Sequence, residues 1–298
     1  MMKKGPITGT FIDEITYDIP SSNWSDDQWR QDLDNMQEIG IDTLIFIRGG
    51  FGGKTIFPSK VMGTEGTDDF AGLIFEEATK RKMDVFFGLY TSNLCWNDGD
   101  VGTEIFKNRY FIDEVWSRYG DYPAFKGWYL PQEVDCERLG FSEILRGLSA
   151  LCKDKTPDKQ VLISPFFKNN VEYKDGKSPR ENVEEWNRIF AHGGKDIDIC
   201  AFQDGTAPLG LMDDYFGLMA DLCKEYDIAH WVNVELFERD VRQMYYPIPF
   251  SQLKPKIENH KKYAEKMISF EFSHFLSPQS IYPSAHNLNN LYKNYYLK

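Results

Sequence analysis

The chain has 298 residues and a formal net charge of −12, with 42% hydrophobic and 27% charged residues. That balance argues against nucleic acid and anionic membranes as partners, since both need clustered Lys and Arg. No apolar run is long enough to span a bilayer. The start, Met1 to Gly5, is basic but has no apolar stretch behind it, so no signal peptide is expected. A trimmed exported protein would read the same way, which leaves localisation open. The five cysteines (Cys95, Cys136, Cys152, Cys200, Cys223) are dispersed and odd in number. They read as reduced thiols, not a disulfide framework or zinc site.

In chain order, a short apolar run followed by an amphipathic helical stretch recurs eight times. The predicted strands are 8–12, 43–47, 84–90, 127–130, 160–164, 198–202, 229–234 and 267–272. The predicted helices begin after Ser25, a capping residue, and then near 68–82, 104–119, 142–152, 180–190, 211–226, 251–266 and 287–296. Strands alternating with helices give βαβ crossovers and a parallel sheet. Eight units predict a closed (β/α)₈ barrel, a TIM barrel, and no linker divides residues 1–298 into more than one domain.

In such a barrel, residues just past each strand converge on one face. Glu133 follows the apolar run Gly127–Leu130, and Glu235 closes the run from Trp231. A carboxylate ending an apolar strand loses solvation, which raises its pKa and suits it to proton transfer. Two of them about 5–5.5 Å apart would suit retaining glycoside hydrolysis. Asp13, Arg48, Gln203 and Asn233 are candidates for polar contacts to hydroxyls. Trp24, Tyr90 and Trp96 are candidates for stacking on a sugar face, and Tyr90 also for holding the charge of a nucleophile. Gln132, Asp204 and His274 complete the expected rim. The segment from Phe237 to Phe250, with Tyr245, Tyr246, Pro247 and Pro249, is expected to shape subsites or a self-contact.

The strand-four and strand-seven glutamates resemble the pattern of the large clan of retaining (β/α)₈ glycoside hydrolases. More closely, Gly9–Ile12, the stretch from Trp29 to Ile45 and Gly127–Leu130 are similar to a family of bacterial barrel proteins classed as a domain of unknown function. Its members are usually described as candidate glycoside hydrolases. The resemblance implies Glu133 as general acid/base, Glu235 as nucleophile, a carbohydrate substrate and no cofactor. The clan usually places Asn immediately before the acid/base, to bind the sugar 2-hydroxyl; here that residue is Gln132.

Other readings remain open at this level. Glu133, Asp204, Glu235 and His274 could be ligands of a metal-dependent sugar isomerase-like barrel. A carbohydrate-binding barrel without activity is another. Arg48 to Thr55 ends in Gly-Lys-Thr after a strand, but Arg48 occupies the first glycine position of a phosphate loop, so a flexible glycine loop at the rim is expected instead. His230 is expected to be packed structure, and oligomeric state is open.

Overall fold

The computed structural model describes residues 4–15, 23–92, 99–170, 174–242 and 244–298. Eight parallel strands close into a barrel: β1 (Ile7–Ile12), β2 (Thr43–Phe46), β3 (Asp84–Gly88), β4 (Phe125–Leu130), β5 (Gln160–Ile163), β6 (Ile199–Gln203), β7 (Ala229–Glu235) and β8 (Lys266–Phe270). Each pairs with its sequence neighbours, and β8 closes on β1 through Ile7↔Met267 and Thr10↔Ser269. The barrel is wrapped by α1 (Asp26–Ile39), α2 (Phe70–Arg81), α3 (Val101–Tyr119), α4 (Phe141–Lys155), α5 (Pro179–Gly193), α6 (Met212–Glu225), α7 (Phe250–His260) and α8 (Pro283–Tyr296). The expected (β/α)₈ barrel is the fold. No helix among the described residues is long and apolar enough to cross a membrane.

Local chemistry sets the element ends. Ser25 and Gln28 form a capping box at α1, and Ser178 and Glu181 form one at α5, where Pro179 opens the first turn. Gly40 ends α1 in the left-handed region at φ 100°, which glycine enters without steric cost. Helix α7 stops at His260, short of the expected 266, because the chain turns there and the amides of Tyr263 and Ala264 both donate to His260 O.

Two further expectations are corrected. β3 ends at Gly88, and Tyr90–Thr91 instead pairs with Gly50–Phe51, which pairs in turn with Lys54–Thr55. The glycine-rich segment is therefore a small ordered sheet rather than a flexible loop, and the Tyr90 hydroxyl donates to Gly52 O to fasten it. β8 ends at Phe270, and Phe272–Phe275 forms a short helix.

Side-chain alternation sorts each strand into a lumen face and a helix-facing face. Phe11, Ile45, Ile47, Phe86, Tyr129, Leu162, Ile199, Ala201 and Ile268 fill the lumen. Their neighbours Ile12, Phe46, Phe87, Trp128, Ile163, Phe202 and Val232 pack beneath the helices. Much of the aromatic content lies in that outer layer: Phe75 stacks on Phe87, Tyr119 and Phe125. Burying both faces is what makes the strands nearly continuous apolar runs. The described cysteines, Cys136, Cys152, Cys200 and Cys223, are free and buried.

Candidate functional site

The lumen alternation also decides which polar residues reach the barrel mouth. Counting by twos from Phe11 gives Asp13, and from Ala201 gives Gln203. From Trp231 it gives Asn233 and Glu235, and from Ile268 it gives Phe270. Beyond β4 the same parity runs from Tyr129 through Pro131 to Glu133. These side chains, with Ile47, Arg48, Phe237, Arg239, Tyr245 and Phe275, line one cavity of about 190 Å³ at the carboxyl ends of the strands. That is the face on which barrel enzymes assemble their chemistry.

Glu133 is half-buried, and the Tyr129 hydroxyl donates to its Oε1 at 2.7 Å. Burial raises its pKa above the usual carboxylate range; Arg48 and the Tyr129 and Gln203 hydrogen bonds hold that rise down, while Asp13 adds to it. Tyr129 is itself fully buried. Burial and the neighbouring Glu133 carboxylate keep its hydroxyl protonated, hence a donor.

Glu235 is pushed up to about 7. Burial is the main cause, Lys256 and Arg239 oppose it, and Asp204 and Glu133 reinforce it. Its carboxylate lies against the Cα of Gly205, where an added methyl would overlap it. Its backbone amide donates to Asp204 Oδ1 at 3.0 Å. Asp204 is completely buried and also meets Lys256 Nζ at 2.9 Å and His260 Nε2 at 3.0 Å. Burial alone would raise the Asp204 pKa, but Lys256 and His260 reverse that and hold it below the usual range. Ser164 links the remaining polar wall: its carbonyl accepts from Gln203 Nε2 at 2.7 Å, and its hydroxyl from Asn233 Nδ2 at 3.1 Å.

The structure thus brings Glu133, Glu235, Asp13, Arg48, Gln203 and Asn233 together on one cavity wall. The other sequence candidates lie elsewhere. Gln132 is buried on the opposite parity and donates to Glu104 Oε1 on α3 at 3.0 Å. Asp204 stands one residue past Gln203, so it faces the helices and supports Glu235 from behind. His274 is buried beside Glu271 in the short helix, and burial lowers its pKa to about 3. Tyr90 belongs to the small sheet. Trp24 packs edge-on against Trp29 of α1. Trp96 lies outside the described residues. His230 is packed structure, with Nδ1 at 3.1 Å from Tyr263 O. Of the four candidate metal ligands only Glu133 and Glu235 share the cavity, and among the described residues no group of three His, Cys, Asp or Glu is placed to hold a metal ion.

Sequence reasoning missed Lys256, His260 and Arg239. Arg239 and Tyr245 face each other across a hairpin, Phe237–Arg239 against Tyr245–Pro247, that follows β7. The aromatic-rich sequence after Glu235 signalled that hairpin; nothing in sequence signalled a lysine and histidine on α7 reaching back to Asp204.

The family model for a domain of unknown function, DUF4434, matches residues 7–282. The chain belongs to this family. It is 37% identical to a provisionally assigned alpha-L-fucosidase from Bacteroides thetaiotaomicron VPI-5482, with a TM-score of 0.93 over 100% of this chain and 96% of that one. A beta-galactosidase from the psychrophilic Marinomonas ef1 shares the barrel at 11% identity and a TM-score of 0.61, over 96% of this chain and 59% of that one. The intracellular xylanase TsXylA from Thermoanaerobacterium saccharolyticum JW/SL-YS485 does so at 11% identity and 0.53, over 90% and 85%. These last two share the fold. No curated protein matches the sequence.

Proposed function

We propose that the protein is a retaining glycoside hydrolase, with Glu133 as general acid/base and Glu235 as nucleophile. The observation that carries this reading is the pair itself: two carboxylates from β4 and β7, both raised by burial, on one cavity wall. Its similarity to a provisionally assigned fucosidase supports sugar cleavage. The alternation of the lumen puts Asp13, Arg48, Gln203 and Asn233 within the same wall, where they would orient hydroxyls.

In this mechanism Glu133 gives its proton to the glycosidic oxygen as the bond to the anomeric carbon breaks. Glu235 attacks that carbon and forms a glycosyl ester. Glu133, now ionised, takes a proton from water, which attacks the same carbon and frees Glu235. The cycle needs one proton shared by the pair. Burial favours the protonated form of both carboxyls, while the Tyr129 and Gln203 hydrogen bonds favour ionised Glu133 and Lys256 and Arg239 favour ionised Glu235. The first step needs that proton on Glu133 and Glu235 ionised. Lys256 and Arg239, which both draw Glu235 toward its ionised form, favour that arrangement.

The test replaces Glu133 and Glu235 separately with Gln and follows hydrolysis of aryl glycosides, α-L-fucoside included. Each change should cost roughly 10²–10⁴ in turnover. Proton NMR of the first product should show the substrate's anomeric configuration. Full turnover in either variant, or an inverted first product, would reject the assignment.

A further inference from the structure

We propose that Arg239 is the recognition site for an anionic group, a carboxylate or sulfate ester, on the sugar unit next to the one that is cleaved. The proposal rests on the glycoside hydrolase reading and names the class of glycan it acts on.

Arg239 stands at a seam. It lines the central cavity and also an adjoining cleft of about 460 Å³, whose wall includes Gly205, Glu235, Glu238 and Lys256. The central cavity carries the carboxylate pair, and Arg239 stands where that cavity meets the cleft, within reach of a sugar unit that occupies the cleft beside the reacting ring. The guanidinium is held there by two rings from the hairpin. Its Cζ lies 5.9 Å from the Phe237 ring centre and 5.1 Å from that of Tyr245, and the two rings meet edge-to-face at 4.8 Å and 87°.

A cation–ring contact leaves the N–H groups of a guanidinium able to hydrogen-bond an anion. Among the described residues, Arg239 has no carboxylate or other hydrogen-bond partner for that fork, and it is exposed. Arg242, in the turn of the same hairpin, shows the contrast: its Nε and Nη2 are both spent on Asp240 at 3.0 and 2.8 Å. The other cation of the cleft, Lys256, is committed to Asp204. Glu235 and Glu238 also face the cleft, so a diffuse anion gains little there. Directional, bidentate bonding to a planar carboxylate or a sulfate does gain, and a fork pre-set by two rings provides it. In a chain with net charge −12, an uncommitted guanidinium at the mouth of the cavity is not explained by general attraction of anions.

The experiment is calorimetric binding to the Glu133→Gln protein, in which turnover does not consume the ligand. The probes are oligosaccharides from a neutral galactan, a polygalacturonate (carboxylate) and a carrageenan (sulfate). One charged probe at least should bind about tenfold tighter than the neutral one, the gap should narrow with salt, and the two charged arms identify the anion. Arg239→Met should erase the gap between charged and neutral probes, and Arg239→Lys should restore part of it. Equal binding of all three probes, or a preference that survives Arg239→Met, overturns the proposal. The two readings fail separately. A charge preference in a protein that hydrolyses no glycoside keeps the Arg239 site and removes the hydrolase; hydrolysis without the preference does the opposite.

Discussion

Glu77 and Glu235 are both carboxylates withdrawn from solvent, and they end at opposite extremes. Glu77, on the outward side of the barrel, falls to about 2, although burial alone would raise it. It touches Arg30 Nε at 3.1 Å, Lys80 Nζ at 2.9 Å and Arg81, which together tie α1 to α2. Glu235 rises to about 7, with Lys256 and Arg239 acting on it from a distance and two other acids opposing them. Burial is common to both, so it cannot be what marks a working residue. The difference is contact: Glu77 is neutralised by cations that touch it, while Glu235 is left against the bare backbone of Gly205. A carboxylate held that way is costly to keep ionised and ready to accept a proton or a bond.

The comparison predicts stability changes of opposite sign for the same substitution. Glu77's folded pKa lies below its unfolded value, so its contribution is present above the usual carboxylate range and is lost as pH falls toward 2. Glu235's lies above, so it costs stability progressively as pH rises from the usual carboxylate range to about 7, and the cost is complete above that. At pH 8, Glu77→Gln should lose about 3 kcal/mol, whereas Glu235→Gln should gain about 3 kcal/mol. Denaturant melts at pH 8 read both values. Near pH 4 the Glu235 difference should nearly vanish, while that of Glu77 should keep most of its size and disappear only toward pH 2. If both variants lose stability at pH 8, the contrast between the two carboxylates is wrong.

The same parity that separates these surroundings explains how much of the site was legible in the sequence. The barrel and its eight strands follow from the alternation of apolar runs and helices, and Glu133 and Glu235 from their place at strand ends. Gln132 and Asp204 sit beside the cavity-lining residues Glu133 and Gln203, and a count by twos from Tyr129 and Ala201 turns both toward the helices. Sequence proximity to a strand end is thus a weaker signal than parity along the strand. Tyr90 and His274 escaped even parity, because β3 and β8 end two residues early and the chain changes direction. Lys256 and His260 were illegible for another reason. They lie 52 and 56 residues from Asp204 and reach it only through the packing of α7 on the barrel.

The middle-sized effect concerns Gly205. An alanine there must push something aside, and what it meets is the end of a flexible side chain, the Glu235 carboxylate, not backbone. The fold can absorb that by rotating Glu235, so melting should change little. The carboxylate would nevertheless leave its position at the cavity, and a displacement of about 1 Å can cost roughly 100-fold in rate. Gly205→Ala should therefore lower kcat by about that factor with KM nearly unchanged. Wild-type kcat in a folded Gly205→Ala protein would show that the backbone contact does not place the carboxylate.

The smallest effect is the most specific to the contrast with Glu77, since it removes one of the cations that act on Glu235 without touching it. The pair must hold one proton to work and loses it as pH rises, with Glu235 itself titrating at about 7, so kcat/KM should fall on the alkaline side. Lys256 pulls in the opposite direction to burial, Asp204 and Glu133. Replacing it with Met should move the alkaline limb up by about one pH unit, because ionised Glu235 loses a neighbouring positive charge. The shift would be largest if Asp204 stayed ionised with His260 as its remaining partner, adding its own repulsion. A Lys256→Met profile that falls uniformly at every pH, with no movement of the limb, would reduce Lys256 to packing and leave the pKa of Glu235 to burial and its other charged neighbours.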